Sequence, residues 1–72
     1  MKKFENISGR SKELYKMLLS RGYQEEFCKL ICLELNTEYL ATRMIGYLYH
    51  YTELSPEEIA DEMIAIVSES GR

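Results

Sequence analysis

Apolar residues recur at helical spacing in four successive segments, and this periodicity limits the fold of the chain more than any other feature. Residues three and four positions apart share one face of an α-helix, so each segment predicts a helix with an apolar stripe. No stretch of useful length alternates apolar and polar residues, as a half-buried strand would. The sequence therefore predicts an all-α fold, a compact bundle of three to four short helices.

The first helix is predicted from about Ser11 to Arg21, after a polar segment, residues 1–8, that we expect to be frayed. Gly22 follows it, and glycine suits the left-handed C′ position that ends many helices. Tyr23 is then placed to pack back on Leu18. The stretch SRGY thus indicates the end of a helix with its accompanying hydrophobic contact.

The second helix is predicted from about Gln24 to Leu35. It is apolar on two sides, with Cys28 and Ile31 on one side and Leu30 and Leu33 on the other. A helix with two apolar faces is typically sandwiched between neighbours. The pattern therefore predicts that this is the central helix of the bundle.

A break at Asn36 or Thr37 is predicted to cap a third helix that extends to about Tyr51. The apolar residues that share its core face are Ala41, Met44, Ile45 and Leu48. The residues on the opposite face are Tyr39, Arg43, Gly46 and His50. The glycine is thus predicted to point away from the core.

The fourth helix begins at LSPEEI, which is the clearest local signal in the chain. Ser55 is predicted as the N-cap, Pro56 as the first helical residue, and Glu58 as the residue that completes a capping box. Leu54 and Ile59 would form the hydrophobic contact across this start. The apolar stripe that follows comprises Ile59, Ala60, Met63, Ile64, Ile66 and Val67. The end of the chain, residues 69–72, is expected to be frayed.

Length and charge restrict the function. The 72 residues make one small domain, which we place at residues 1–72, and their net charge is −3. This balance argues against nucleic acid as a partner, because phosphate contacts need a basic surface. No apolar run approaches the ~20 residues that span a bilayer, and the N-terminus lacks the apolar region of a signal peptide. We therefore expect a cytoplasmic protein that contacts no membrane.

Two cysteines, Cys28 and Cys32, lie four residues apart on one side of the second helix. This spacing could begin a metal site, but a structural zinc ion needs four ligands and His50 is the sole histidine. Buried thiols, with no metal and no cofactor, are the favoured interpretation. The cysteines are expected inside and His50 outside, and so small a domain has little room for a pocket of about 300 Å3. The sequence therefore predicts a protein that is not an enzyme.

Tyrosine is frequent, with six residues beside two phenylalanines. We expect Tyr23 and Phe27 in the core, with Tyr51 as a further candidate. The tyrosines that cannot all face one interior are Tyr39, Tyr47 and Tyr49. Tyrosine and arginine are the residues most enriched at binding hot spots. The outward stripe of the third helix is therefore a candidate binding surface.

Gly46 lies inside the third helix, where glycine costs about 1 kcal/mol relative to alanine. Three accounts of it stay open. Another helix of the same chain could cross close to it, a partner's backbone or helix could pack there, or the glycine could simply be tolerated. His50, on the same face, also fits an ordinary solvated histidine.

The order LLSRGYQEEF…LNTEYLATRMIGYL resembles the ubiquitin-associated (UBA) domain from about residue 12 to residue 50. The matching features are a Gly-aromatic loop at Gly22 and Tyr23 and a break between helices at Asn36. The resemblance implies a UBA-like three-helix core, with the fourth helix as an addition, and a binding patch that includes Gly22, Tyr23 and Leu48. Arg21 stands where that family usually has methionine, so only the helix arrangement is carried over and ubiquitin is not.

The whole chain, particularly TRMIGYL and EEIADEMIAI, is also similar to small uncharacterised proteins that accompany mobile elements in Gram-positive bacteria. This resemblance implies a bacterial host, in which ubiquitin is not the ligand. It brings no established activity with it.

The leading hypothesis is a small protein-interaction module that binds a partner helix or a larger protein. The contact would be made by the stripe of Tyr39, Arg43 and Gly46, or by Tyr23 and its loop, and a homodimer is one form of it. The alternative is an accessory regulator of nucleic-acid transactions with a helix-turn-helix shape. Against that alternative, Arg43 is the single Lys or Arg on the third helix.

Overall fold

The computed structural model describes residues 7–70 as four helices joined by short connections. In chain order the helices are α1 (Gly9–Ser20), α2 (Glu25–Glu34), α3 (Glu38–His50) and α4 (Pro56–Ser70). Residues 7–70 contain no strand. These observations confirm the predicted all-α bundle, with four helices in residues 7–70. The fraying expected for residues 1–6 and 71–72 lies outside the described residues.

The start of α1 differs from the prediction. The helix begins at Gly9, earlier than the predicted Ser11, because the Ser8 side chain accepts a hydrogen bond from the Ser11 N–H at 3.1 Å. Ile7, which we placed in the frayed segment, is buried in the core. The Ser11 hydroxyl is buried as well and donates to the carbonyl of Leu35 at the end of α2. Residues 7 and 8 therefore belong to the packed domain.

The end of α1 is formed as predicted. Gly22 has a φ of 93°, in the left-handed region that favours glycine. The Gly22 N–H donates to the Leu19 carbonyl at 3.0 Å, and the Tyr23 N–H donates to the Leu18 carbonyl at 3.3 Å. This pair of bonds is the Schellman motif, which satisfies carbonyls that the helix end would otherwise leave without partners.

The starts of α3 and α4 also follow the sequence signals. Thr37 caps α3 by accepting a hydrogen bond from the Leu40 N–H at 3.2 Å. At α4, the Ser55 N–H donates to Glu58 Oε1 at 2.8 Å, and the Glu58 N–H donates to Ser55 Oγ at 3.2 Å. The predicted capping box is confirmed. The far end of α4 differs, because the helix continues to Ser70 through residues that we expected to be frayed.

Helices α1 and α4 each pack against both α2 and α3. The apolar residues buried between them are Ile7, Leu14, Leu18, Cys28, Ile31, Cys32, Leu35, Ala41, Met44, Ile45, Leu48, Ile59 and Ile66. In this arrangement each helix buries one stripe, and no helix is surrounded by the others. The predicted core face of α3 is confirmed in full.

Two predictions about burial were wrong. We expected α2 to be sandwiched on two sides, but Leu30 on its second side is 55% exposed. We placed Ile64 in the apolar stripe of α4, but it is 57% exposed, whereas Ile59 and Ile66 are fully buried. The physical reason is the same in both cases. Within residues 7–70, no further element is present to cover a second apolar side of either helix.

Candidate interaction surfaces

One side of α3 faces away from the bundle, and we call it the α3 outer face. Its residues are Tyr39, Thr42, Arg43, Gly46, Tyr49 and His50. Arg43 is half-buried, and the other residues are exposed. The prediction that the glycine points away from the core is confirmed. The four stripe residues identified from the sequence therefore share one face of α3, and Gly46 lies at its centre.

Gly46 has no neighbour on the side where a Cβ would point. A Cβ built on its backbone meets nothing within 4 Å. The account in which another helix of this chain crosses close to Gly46 is therefore wrong, because no described atom lies close enough to require a glycine. Packing against a partner, or simple tolerance, is what remains.

Arg43 does not extend freely into solvent. Its guanidinium donates to Glu69 Oε1 at 2.6 Å and to the Tyr39 hydroxyl at 3.2 Å. The guanidinium carbon lies 6.0 Å from the centre of the Tyr39 ring, at the limit of a cation–π contact. The bond to Glu69 raises the pKa of Arg43, so the group stays charged. Arg43 thus ties α3 to the last turn of α4 and holds Tyr39 beside it.

Two members of this face were missing from the stripe proposed on the sequence. Tyr49 is 71% exposed, and Thr42 is exposed too. They lie three residues after and four residues before Gly46, so helical spacing alone places them beside it. The predicted stripe included the residues three before and four after Gly46. The residues four before and three after it also lie beside it on the helix, and including them would have found both.

The C-terminal end of α3 carries a group of rings. The Tyr47 and Tyr51 rings lie 5.0 Å apart, and the His50 ring lies 6.3 Å from that of Tyr51. Tyr51, a candidate for the core, is instead 54% exposed, since the chain leaves the helix there. Burial raises the pKa of Tyr47, with smaller effects from acidic residues of α4.

Arg21 has a structural role at the end of α3. Its guanidinium donates to the Leu48 carbonyl at 2.6 Å and to the Tyr51 carbonyl at 2.9 Å. A cation at this end of α3 satisfies carbonyls that have no partner within the helix and complements the helix dipole. Methionine could do neither.

The second predicted region is the corner between α1 and α2, which we call the Gly22–Tyr23 corner. The Tyr23 hydroxyl donates to the Leu54 carbonyl, and its ring lies 5.8 Å from that of Phe27. Within the described chain, no hydrogen bond or ring contact joins Gly22 or Tyr23 to the α3 outer face. The six predicted site residues therefore fall into two groups, with no such contact between them.

A shallow pocket opens beside this corner. Its volume is about 380 Å3, and it is lined by Gly22, Tyr23, Gln24, Phe27 and Pro56. Our expectation that so small a chain has little room for a pocket of about 300 Å3 was wrong. The pocket lies at the surface, where the α1–α2 connection meets the start of α4, so it takes no volume from the core.

The cysteines lie inside the bundle. Cys28 and Cys32 are free and fully buried, as predicted. Burial raises the pKa of both thiols, that of Cys32 to about 12. His50 is exposed, so it does not share a site with them. No group of three or more His, Cys, Asp or Glu side chains that could hold a metal ion occurs within residues 7–70.

None of the four helices, over the part of the chain that the structure describes, is both long enough and apolar enough to cross a membrane. Comparison of the chain with protein-family models, with curated proteins and with solved structures found no match.

Proposed function

We propose that this protein is a small, non-enzymatic interaction module whose α3 outer face binds a helix of another protein or of a second copy. One observation carries the proposal. Gly46 is a helix-interior glycine that costs about 1 kcal/mol relative to alanine, and no atom of residues 7–70 requires it. A partner whose backbone approaches α3 at this point would offset that cost.

The side chains around Gly46 support a helix as the partner. Thr42 and Gly46 are small neighbours on one face, while Tyr39 and Tyr49 stand on either side along the helix. Small residues let two helix backbones approach closely, and tyrosines supply large, rigid contact area at low entropic cost. The face thus has a low centre between two rings, which suits a crossing helix.

Arg43 supports the same proposal because its position is already fixed. The bond to Glu69 and the contact with Tyr39 hold the guanidinium on the face before any partner arrives. Side chains held in place lose less conformational entropy on binding. The same pairing weakens the alternative of a DNA-reading helix, because the one Lys or Arg of α3 already has a carboxylate partner.

The experiment compares three proteins: the unchanged chain, Gly46→Ala and Gly46→Leu. Each is used as affinity-tagged bait in lysate of the native host, and each is examined alone by sedimentation velocity for self-association. We expect Gly46→Leu to lose the bound partner or the dimer, since its side chain projects where the partner's backbone would lie. We expect far-UV circular dichroism to stay unchanged, because the added atoms point into open space.

Gly46→Ala is the matched control for the backbone. It removes the flexibility of glycine with the smallest possible side chain, and it should weaken association less than Gly46→Leu does. If both variants associate as the unchanged chain does, α3 is not the binding surface. Binding to a DNA duplex at low salt that is lost steeply as salt rises would instead favour the nucleic-acid alternative.

A further inference from the structure

The pocket at the Gly22–Tyr23 corner has apolar walls held in place by the fold. The Tyr23 and Phe27 rings meet at 5.8 Å with a tilt of 43°, and both are partly buried against the core. The Tyr23 hydroxyl is already bonded to the Leu54 carbonyl, so the ring cannot turn away without losing that bond. Pro56 closes the pocket with a third ring that is rigid by its chemistry. The walls are therefore preorganised for an apolar group.

Carboxylates follow two of the lining residues. Gln24 is followed directly by Glu25 and Glu26, and Pro56 is followed directly by Glu57. These acids lie in the first turns of α2 and α4, where they complement the helix dipoles. Each helix terminus offsets only about half a unit charge, so negative charge remains beside the pocket.

Two of these carboxylates have no partner among the described residues. Glu25 accepts a hydrogen bond from Tyr15 and forms an ion pair with Lys29 at 3.5 Å. In contrast, Glu26 and Glu57 are exposed and have no hydrogen bond or ion pair within residues 7–70. The nearest arginine in sequence, Arg21, is directed to the end of α3.

We propose that this pocket is a second binding site, separate from the α3 outer face, and that it takes the apolar side chain of a cationic peptide segment. An aromatic or long aliphatic side chain of the segment would lie between Tyr23, Phe27 and Pro56. Lysine or arginine residues beside it would pair with Glu26 and Glu57. Shape selects the apolar group, and charge selects the sign of the residues that flank it.

The test uses a short synthetic peptide with one tryptophan at its centre and lysines on both sides. The chain itself has no tryptophan, so the indole emission reports on the peptide alone. We expect a blue shift of this emission on binding, together with amide shifts at Gly22 and Phe27 in a two-dimensional NMR spectrum. A peptide with alanine in place of tryptophan, and one with glutamates in place of the lysines, should bind weakly or not at all.

The charge arm uses Glu26→Lys, with Glu34→Lys as its matched control. Both carboxylates are exposed residues of α2, but Glu34 ends the helix, whereas Glu26 is its second residue and directly precedes Phe27 of the pocket. At about 0.1 M salt, we expect Glu26→Lys to weaken binding of the peptide about tenfold, with the difference reduced as further salt screens the charges. At the same salt, Glu34→Lys should change it by less than about twofold, since the helical rise of about 1.5 Å per residue places it about 12 Å farther along α2 than Glu26, beyond the Debye length of about 10 Å.

Three outcomes would overturn the proposal: no blue shift at millimolar peptide, equal weakening by Glu26→Lys and Glu34→Lys, or amide shifts centred on Gly46. Circular dichroism of each variant shows that the fold is kept. The outcome is separate from that of the proposed function, because Gly46→Leu should leave binding of the peptide unchanged. Each site can therefore fail without the other.

Discussion

The α3 outer face and the Gly22–Tyr23 corner both combine a glycine with tyrosine, but the fold requires glycine at only one of the two positions. At the corner, the φ of 93° and the two hydrogen bonds of the Schellman motif require glycine for the chain's own fold. On α3, Gly46 is helical, exposed and without a neighbour within 4 Å of an added Cβ. A glycine that the fold explains carries no information about partners. One that the fold leaves unexplained is the better indication of a binding surface.

The largest expected effect is the loss of stability on substitution of Gly22. Gly22→Ala should destabilise the protein by about 1–2 kcal/mol, because alanine is strained in the left-handed conformation. Urea denaturation followed by circular dichroism measures this change. If the variant is as stable as the unchanged chain, the corner does not depend on the glycine, and the contrast between the two regions is lost.

A second prediction concerns pH and the thiols beneath the corner. Cys28 Sγ lies 3.7 Å from the Tyr23 carbonyl, and burial raises the pKa of Cys32 to about 12. An unfolded thiol ionises near pH 9, whereas the folded Cys32 thiol stays protonated there, so the unfolded state binds fewer protons above that pH. Stability should be constant below about pH 8 and fall by roughly 1 kcal/mol or more by pH 10.

The measurement is a series of urea midpoints from pH 7 to pH 10, repeated with Cys32→Ala. The variant starts from a lower stability because it leaves a cavity, but its midpoint should fall less over the same range. An equal fall in both proteins would show that the buried thiol is not the source of the dependence.

Arg21→Met tests whether the corner arginine is structural. The change removes two hydrogen bonds to carbonyls at the end of α3 and should destabilise the protein by about 1 kcal/mol. Thermal unfolding at low and moderate salt measures it. A variant at least as stable as the unchanged chain would show that the α3 end is capped without Arg21.

Gly46→Ala should move stability in the opposite direction to Gly22→Ala. The helix gains up to about 1 kcal/mol from the higher propensity of alanine, since no neighbour has to move. Urea denaturation again gives the value, and the two alanine variants are best measured side by side. A loss of stability at Gly46 would mean that the fold itself needs this glycine.

The smallest expected effect is that of the ion pair on the α3 outer face. Arg43 and Glu69 are both partly exposed, so Glu69→Gln should cost no more than about 0.5 kcal/mol at low salt and nothing measurable at high salt. The same variant should still weaken partner binding, because it frees the guanidinium that the pair holds in place. An unchanged affinity would remove Arg43 from the proposed surface.

Local features of the fold could be predicted from the sequence because a few adjacent residues determine them. The capping box at Ser55 and Glu58, the Thr37 cap and the left-handed Gly22 are formed as expected. These features depend on short-range hydrogen bonds and allowed backbone angles. The direction in which Gly46 points followed from helical periodicity in the same way.

Most of the features that the sequence did not reveal depend on how the helices pack. The exposure of Leu30 and Ile64, the burial of Ile7 and the Arg43–Glu69 pair require knowing which helix lies beside which. Arg43 and Glu69 are far apart in sequence, on different helices. Whether another helix covers Gly46 also depends on packing, so helical periodicity could not answer it. The structure shows that no helix of the described chain covers this glycine.

The central claim is that the α3 outer face, left open by its own chain, contacts another macromolecule. Site-specific photo-crosslinking in the native host tests it most directly, with the photoreactive residue at Thr42 and, as a control, at Lys16 on the exposed side of α1. The account predicts a light-dependent adduct of defined mass at Thr42 that is absent at Lys16 and is lost when Gly46→Leu is added. No adduct at Thr42, or the same adducts at both positions, would contradict it.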